Sequence, residues 1–174
     1  MGKVELPHAA DVEKLNEMIT NEASRSLEAL RETLSPETYR KLMEISLALL
    51  ISFNRRRSGE VARMPLPAFT ERDRSTTQTE VMAALSVVEK QLAHSVVRLV
   101  IVGKRRKLVP VLLAPLAYQC LEELVNFRHL AGLHPDNNYF YGIPGSVVRP
   151  RHICLTVYRV LKLPVILNLD GKLR

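Results

Sequence analysis

The residues best equipped for chemistry fall in two short basic runs. The first, Asn54-Arg55-Arg56-Arg57-Ser58-Gly59-Glu60-Val61-Ala62-Arg63, leaves an apolar stretch and turns abruptly cationic before a single carboxylate. The second, Gly103-Lys104-Arg105-Arg106-Lys107-Leu108-Val109-Pro110, sets consecutive cations between β-forming residues. Arginine presents a planar fork that donates two parallel hydrogen bonds to an oxyanion, and lysine a mobile point charge. Together the two runs suggest a site for a phosphodiester.

The charge distribution agrees. Residues 54 to 107 hold twelve Lys and Arg against five Asp and Glu, and the remainder holds thirteen of each, so the whole formal charge of +7 belongs to that segment. A concentrated basic patch draws polyanions by counterion release and steering, which makes nucleic acid the leading partner and an anionic membrane surface the next. The plain alternative is a solvated face that aids solubility. Phe69 is the single aromatic in the basic segment, so a base-stacking surface for single strands or RNA is not supported.

Other chemistries lack supporting spacing. Cys120 and Cys154 stand alone in apolar surroundings, which reads as two buried thiols of a reducing compartment. No metal site, no cofactor and no Ser or Cys hydrolase arrangement is indicated. The longest apolar stretch, Ile45 to Phe53, is far too short to span a bilayer, and the cations do not line one amphipathic helix, so no membrane role is expected and the chain reads as soluble and intracellular.

The elements that must position the two runs follow from periodicity. With 174 residues, 47% of them hydrophobic, the chain can bury one sizeable core. Residues 8 to 32 repeat apolar groups at spacings of three and four, an amphipathic helix. Ser35-Pro36-Glu37 starts a second helix, about 36 to 54, whose later half is apolar all round and therefore central. Met64-Pro65-Leu66-Pro67 should break regular structure, with a surface loop over 68 to 79 and a short helix over about 80 to 94. Val96 to Val102 and Leu108 to Leu113 read as an antiparallel hairpin around the basic turn. An amphipathic helix from Pro115 to about Leu130, an extended run Tyr139-Phe140-Tyr141 and a last helix over about 149 to 162 complete the reading.

In that order the elements resemble the catalytic domain of tyrosine recombinases, the phage-integrase class, and most closely the recombinase-like proteins derived from Crypton-type mobile elements in animals. Arg57-Ser58-Gly59-Glu60, after the apolar Leu49-Leu50-Ile51-Ser52-Phe53, resembles the family's Arg-x-x-Glu motif. Ile101-Val102-Gly103-Lys104 through Val109-Pro110-Val111 resembles its lysine-bearing hairpin, and Phe140 to Pro144 the short strand before its second box. The likeness covers roughly residues 40 to 160. It implies Arg57 as the clamp on the non-bridging oxygens, and Lys104, with Lys107 second, as the acid that protonates the leaving oxygen. Glu60 would hold the Arg57 guanidinium, or form only a surface ion pair with it. Arg55, Arg56, Arg105 and Arg106 would contact backbone phosphates without reading sequence.

Two parts of the family pattern have no match. His8, His94, His129, His134 and His152 all lack an Arg three residues on, so there is no His-x-x-Arg box. Tyr158 precedes the place where that box would stand and reads as a core or surface aromatic, which leaves no nucleophile. The fold expected is therefore mainly α with a small antiparallel hairpin, an α+β, incomplete recombinase-like domain over 35 to 162 between an N-terminal helix (1 to 34) and an unpatterned tail (163 to 174). The function expected is binding of double-stranded DNA without catalysis, in the nucleus. An apolar face near the C-terminal side, covered by a second copy or a partner protein, is also expected. The other reading is a helical protein-interaction module whose Lys104-Arg105-Arg106-Lys107 serves nuclear import or nucleic-acid contact.

Overall fold

The computed structural model describes residues 8–55, 58–72 and 86–144. The described residues fold as a small α+β unit, mostly helical with one two-stranded antiparallel sheet. Helix α1 (Ala9–Glu32) starts where the His8 N–H donates to the Asp11 carboxylate at 3.1 Å, and it buries Ile19, Ala23, Leu27 and Leu30. Helix α2 (Pro36–Asn54) has Ser35 as its N-cap: the Ser35 hydroxyl accepts the Thr38 N–H at 3.1 Å, and the Thr38 hydroxyl accepts the Ser35 N–H at 3.0 Å. Those two bonds satisfy donors that a helix start leaves orphaned.

As its composition predicts, α2 runs through the centre. Leu42, Met43, Ile45, Leu47, Ala48, Leu50 and Ile51 are buried, and only near its end does Phe53 face solvent. The short helices α3 (Ser58–Ala62) and α4 (Leu66–Thr70) follow. The expected loop at 68 to 79 is corrected here over its first residues: Pro67 lies in the first turn of α4, where a missing N–H costs nothing, and burial of Phe69 and Met64 outweighs the polar composition around them. Phe69 meets Phe140 edge-on with ring centres 5.4 Å apart. The rest of that loop, 73 to 79, lies outside the described residues, as do 80 to 85 of the next expected helix, which is seen as α5 (Val87–Ser95) with Ser86 as its cap.

Strands β1 (Val97–Val102) and β2 (Leu108–Leu113) form the hairpin in the expected place. Their register pairs Val97 with Leu113 and Val102 with Leu108, and strict alternation sends Leu99, Ile101, Val111 and Leu113 into the core. Helix α6 (Pro115–Asn126) packs on α1 and α2 through Ala117, Cys120, Leu121 and Leu124. It ends four residues short of the expected Leu130, because Arg128 turns away from the helical path. Its guanidinium donates to the carbonyls of Asn137 at 2.6 Å, Tyr139 at 2.9 Å and Phe140 at 3.0 Å, stitching the following loop to the helix end. The expected strand Tyr139 to Tyr141 is reduced to one bridge, Tyr139 to Pro65. The last helix, Tyr158, Cys154, the tail and the end of the likeness beyond residue 144 lie outside the described residues. Among the described helices none is long and apolar enough to cross a membrane.

Candidate nucleic-acid interface

The first basic run is pinned to the hairpin at both of its ends. At the end of α2, the Asn54 amide behaves like a strand backbone: its Nδ2 donates to the Leu112 carbonyl at 2.9 Å, and its Oδ1 accepts the Leu112 N–H at 2.7 Å. Asn54 Nδ2 also donates back to the Leu50 carbonyl at 3.0 Å, which fixes the side chain from within its own helix. The chain then leaves the helix through Arg55 in the left-handed region (φ 49°, ψ 38°).

At the other end stands Glu60, on α3. A Cβ added at Gly103 would lie 3.4 Å from Glu60 Oε1, so this carboxylate rests against the backbone at the foot of the basic turn. The same added Cβ would meet Val109 Cγ2 at 2.6 Å, and so the position before Lys104 has room for glycine only. Leu112 and Lys107 are five residues apart on one strand, about 17 Å at the usual rise. Asn54 therefore meets the hairpin near its root and Glu60 meets it near its tip.

The turn itself, Lys104–Arg106, is closed by the Gly103 N–H donating to the Lys107 carbonyl at 2.8 Å. Arg105 and Arg106 both take left-handed backbone angles, φ 59° and φ 57°, and with Lys107 they are exposed. Of the expected residues, Glu60 of the first run lies against the second run at Gly103, Arg55 stands next to Asn54 at the root of the hairpin, and Arg105, Arg106 and Lys107 are at the turn with the Lys104 backbone. Arg56 and Arg57, the latter the expected clamp, lie outside the described residues.

Of two further contributors, Asn54 escapes sequence reasoning, and Arg63 stands in the first basic run without a role of its own. Asn54 reads as the last residue of an apolar helix, and nothing in the pattern announces that its amide substitutes for a strand. Arg63 is exposed and folds its guanidinium over Gly59, with Nη1 3.4 Å from where a Cβ would sit there, so the first run carries a cation against α3. Arg72 does not join it. Its guanidinium lies 4.3 Å from the Phe69 ring centre and 5.0 Å from that of Tyr118, and it donates to the Tyr118 hydroxyl at 2.6 Å.

The buried nucleophile types are held in their neutral forms. Burial pushes the Cys120 thiol up to about 12, against a smaller opposing effect of the Arg31 charge. Burial likewise pushes Tyr39 up to about 12 although the Arg128 charge opposes it, and Tyr39 spends its hydroxyl proton on the Leu124 carbonyl at 3.1 Å. A thiolate or phenolate at either position is disfavoured near neutral pH. No family model matches the chain, and no curated protein or solved structure matches it.

Proposed function

We propose that this protein binds the phosphate backbone of double-stranded DNA with the basic track that runs from the end of α2 to the hairpin turn. The observation that carries the reading is conformational. Among the described residues, the non-glycine residues with positive φ are Arg55, Arg105 and Arg106, and all three belong to the two basic runs. Glycine or asparagine would occupy such positions at lower cost, so strain is retained where a cation is displayed. A track about 17 Å long faces about five phosphates of one strand at 3.4 Å of axial rise each.

In this reading Arg55, Arg63, Arg105, Arg106 and Lys107 neutralise phosphates and set the register on the duplex, while Glu60 braces the foot of the turn. Arg56, Arg57 and Lys104 are further cations of the two runs in the sequence. The likeness to tyrosine recombinases supports the same partner, with the substrate held and not cut, since these 174 residues carry no His-x-x-Arg. The exposed turn also suits nuclear import, which would bring the protein to that partner.

The test is a salt titration of duplex binding with the variant Arg105→Ala, Arg106→Ala, Lys107→Ala. If all three cations contact phosphates, the slope of log K against log salt becomes shallower by about 2.7, at 0.9 per contact. Equal losses on unrelated duplex sequences are expected, because backbone contacts carry no sequence information. An unchanged slope refutes the reading.

A further inference from the structure

The hairpin has two long edges, and they are treated in opposite ways. Gly103 pairs with Lys107 through the Gly103 N–H, which places the hydrogen-bonded pairs of the ladder at Ile101 with Val109, Leu99 with Val111, and Val97 with Leu113. The backbone groups of the alternate residues therefore point away from the partner strand. On β2 that outward edge is closed over its root half: Asn54 takes both the N–H and the C=O of Leu112, and Pro110 has no N–H to offer. On β1 the outward residues are Arg98, Val100 and Val102, and no described residue bonds their N–H or C=O groups.

The same strands also carry exposed apolar side chains. Val100 (42% exposed), Val102 (59%), Leu108 (73%) and Leu112 (43%) stand on the outer side of the hairpin, with Pro110 among them and Arg98 at the root. An aliphatic face beside an open edge is the arrangement that natural sheets avoid unless another strand covers it.

We infer that β1 pairs antiparallel with β1 of a second copy of this chain, about a two-fold axis at Val100, to make a continuous four-stranded sheet. The sequence of the edge is self-complementary in this register. Val100 faces Val100 of the second copy, a β-branched pair, and Arg98 faces Val102 of the second copy, so no like charges stand opposite each other. Each of the three outward residues then exchanges an N–H···O pair. The basic turns point in opposite directions, about 27 Å apart at the usual rise, well beyond a screening length of about 8 Å, so their repulsion does not oppose the contact. Parallel pairing would set the two Arg98 residues side by side.

Sedimentation of the full chain without nucleic acid, over a concentration series reaching about 1 mM, tests the pairing apart from any DNA binding. The wild type is expected to double its mass as concentration rises. Val100→Pro removes an N–H that the hairpin does not use and is expected to abolish the doubling. Val100→Lys leaves the backbone intact, sets like charges opposite each other across the axis and should also be monomeric. An equimolar mixture of Val100→Lys with Val100→Glu should recover the doubled mass. Circular dichroism confirms that each variant is folded, and Val100→Lys decides the matter if the proline variant is not. A wild type that stays monomeric throughout, or a folded Val100→Lys that dimerises as the wild type does, overturns the inference.

Discussion

Replacing Arg105 by glycine should separate the two properties of the turn, raising stability while lowering affinity for DNA. Arg105 sits at φ 59° and ψ 32°, where a Cβ crowds the following carbonyl. That conformation costs about 1–2 kcal/mol for an ordinary residue and little for glycine, while glycine's extra freedom in the unfolded chain returns about 0.5–1 kcal/mol. The net gain is about 0.5–1 kcal/mol, or a rise in Tm of about 1–4 °C for a chain of this size. Arg106, at φ 57°, should behave alike. The assay is a pair of measurements on Arg105→Gly: thermal unfolding followed by circular dichroism, and duplex affinity at fixed salt. A Tm that falls by several degrees would show that the Arg105 side chain makes a stabilising contact, and the strain argument would then be wrong. Unchanged affinity with a raised Tm would leave the strain real but without a purpose in DNA binding.

Three further outcomes follow from the interior. Asn54→Ala removes both bonds to Leu112 and should cost about 1–3 kcal/mol, at about 0.5–1.5 kcal/mol each, with faster hydrogen exchange at the Leu112 amide; an unchanged exchange rate there would mean the amide does not hold the strand. Cys120 and Tyr39 keep their protons to about pH 12 when folded but release them from their ordinary values of 9.0 and 10.0 when unfolded. The unfolded state thus binds fewer protons, so stability is full below pH 9 and declines as pH rises towards 12, a slope that Cys120→Ala should lessen and that a flat Tm between pH 9 and 11 would exclude. Tyr141 is fully buried, and its hydroxyl has no partner in bonding geometry among the described residues, although the Ser46 hydroxyl, which donates to the Met43 carbonyl at 3.0 Å and keeps lone pairs to accept with, lies beside it. Tyr141→Phe should raise stability by about 1 kcal/mol in denaturant unfolding, and a loss of that size would show that Ser46 and Tyr141 do bond.

What was legible in the sequence, and what was not, divides along a physical line. Capping and periodicity are local, so Ser35-Pro36 marked the start of α2 and the alternation of Leu99, Ile101, Val111 and Leu113 marked the hairpin's inner face. Where a side chain is used at long range, local signals fail. Phe69 makes a helical turn out of an expected loop because its ring is needed against Phe140, and Arg128 ends α6 early because three carbonyls of the next loop need its guanidinium. The candidate site shows both sides of this. Its cations could be read from composition, but that the two runs meet depends on the Asn54 amide and on Glu60 lying against Gly103, contacts between residues more than forty positions apart. The closed and open edges of the hairpin are of the same kind: Pro110 could be seen beforehand, whereas the direction in which it points became visible only with the register, and that register is what gives Val100 an edge to share.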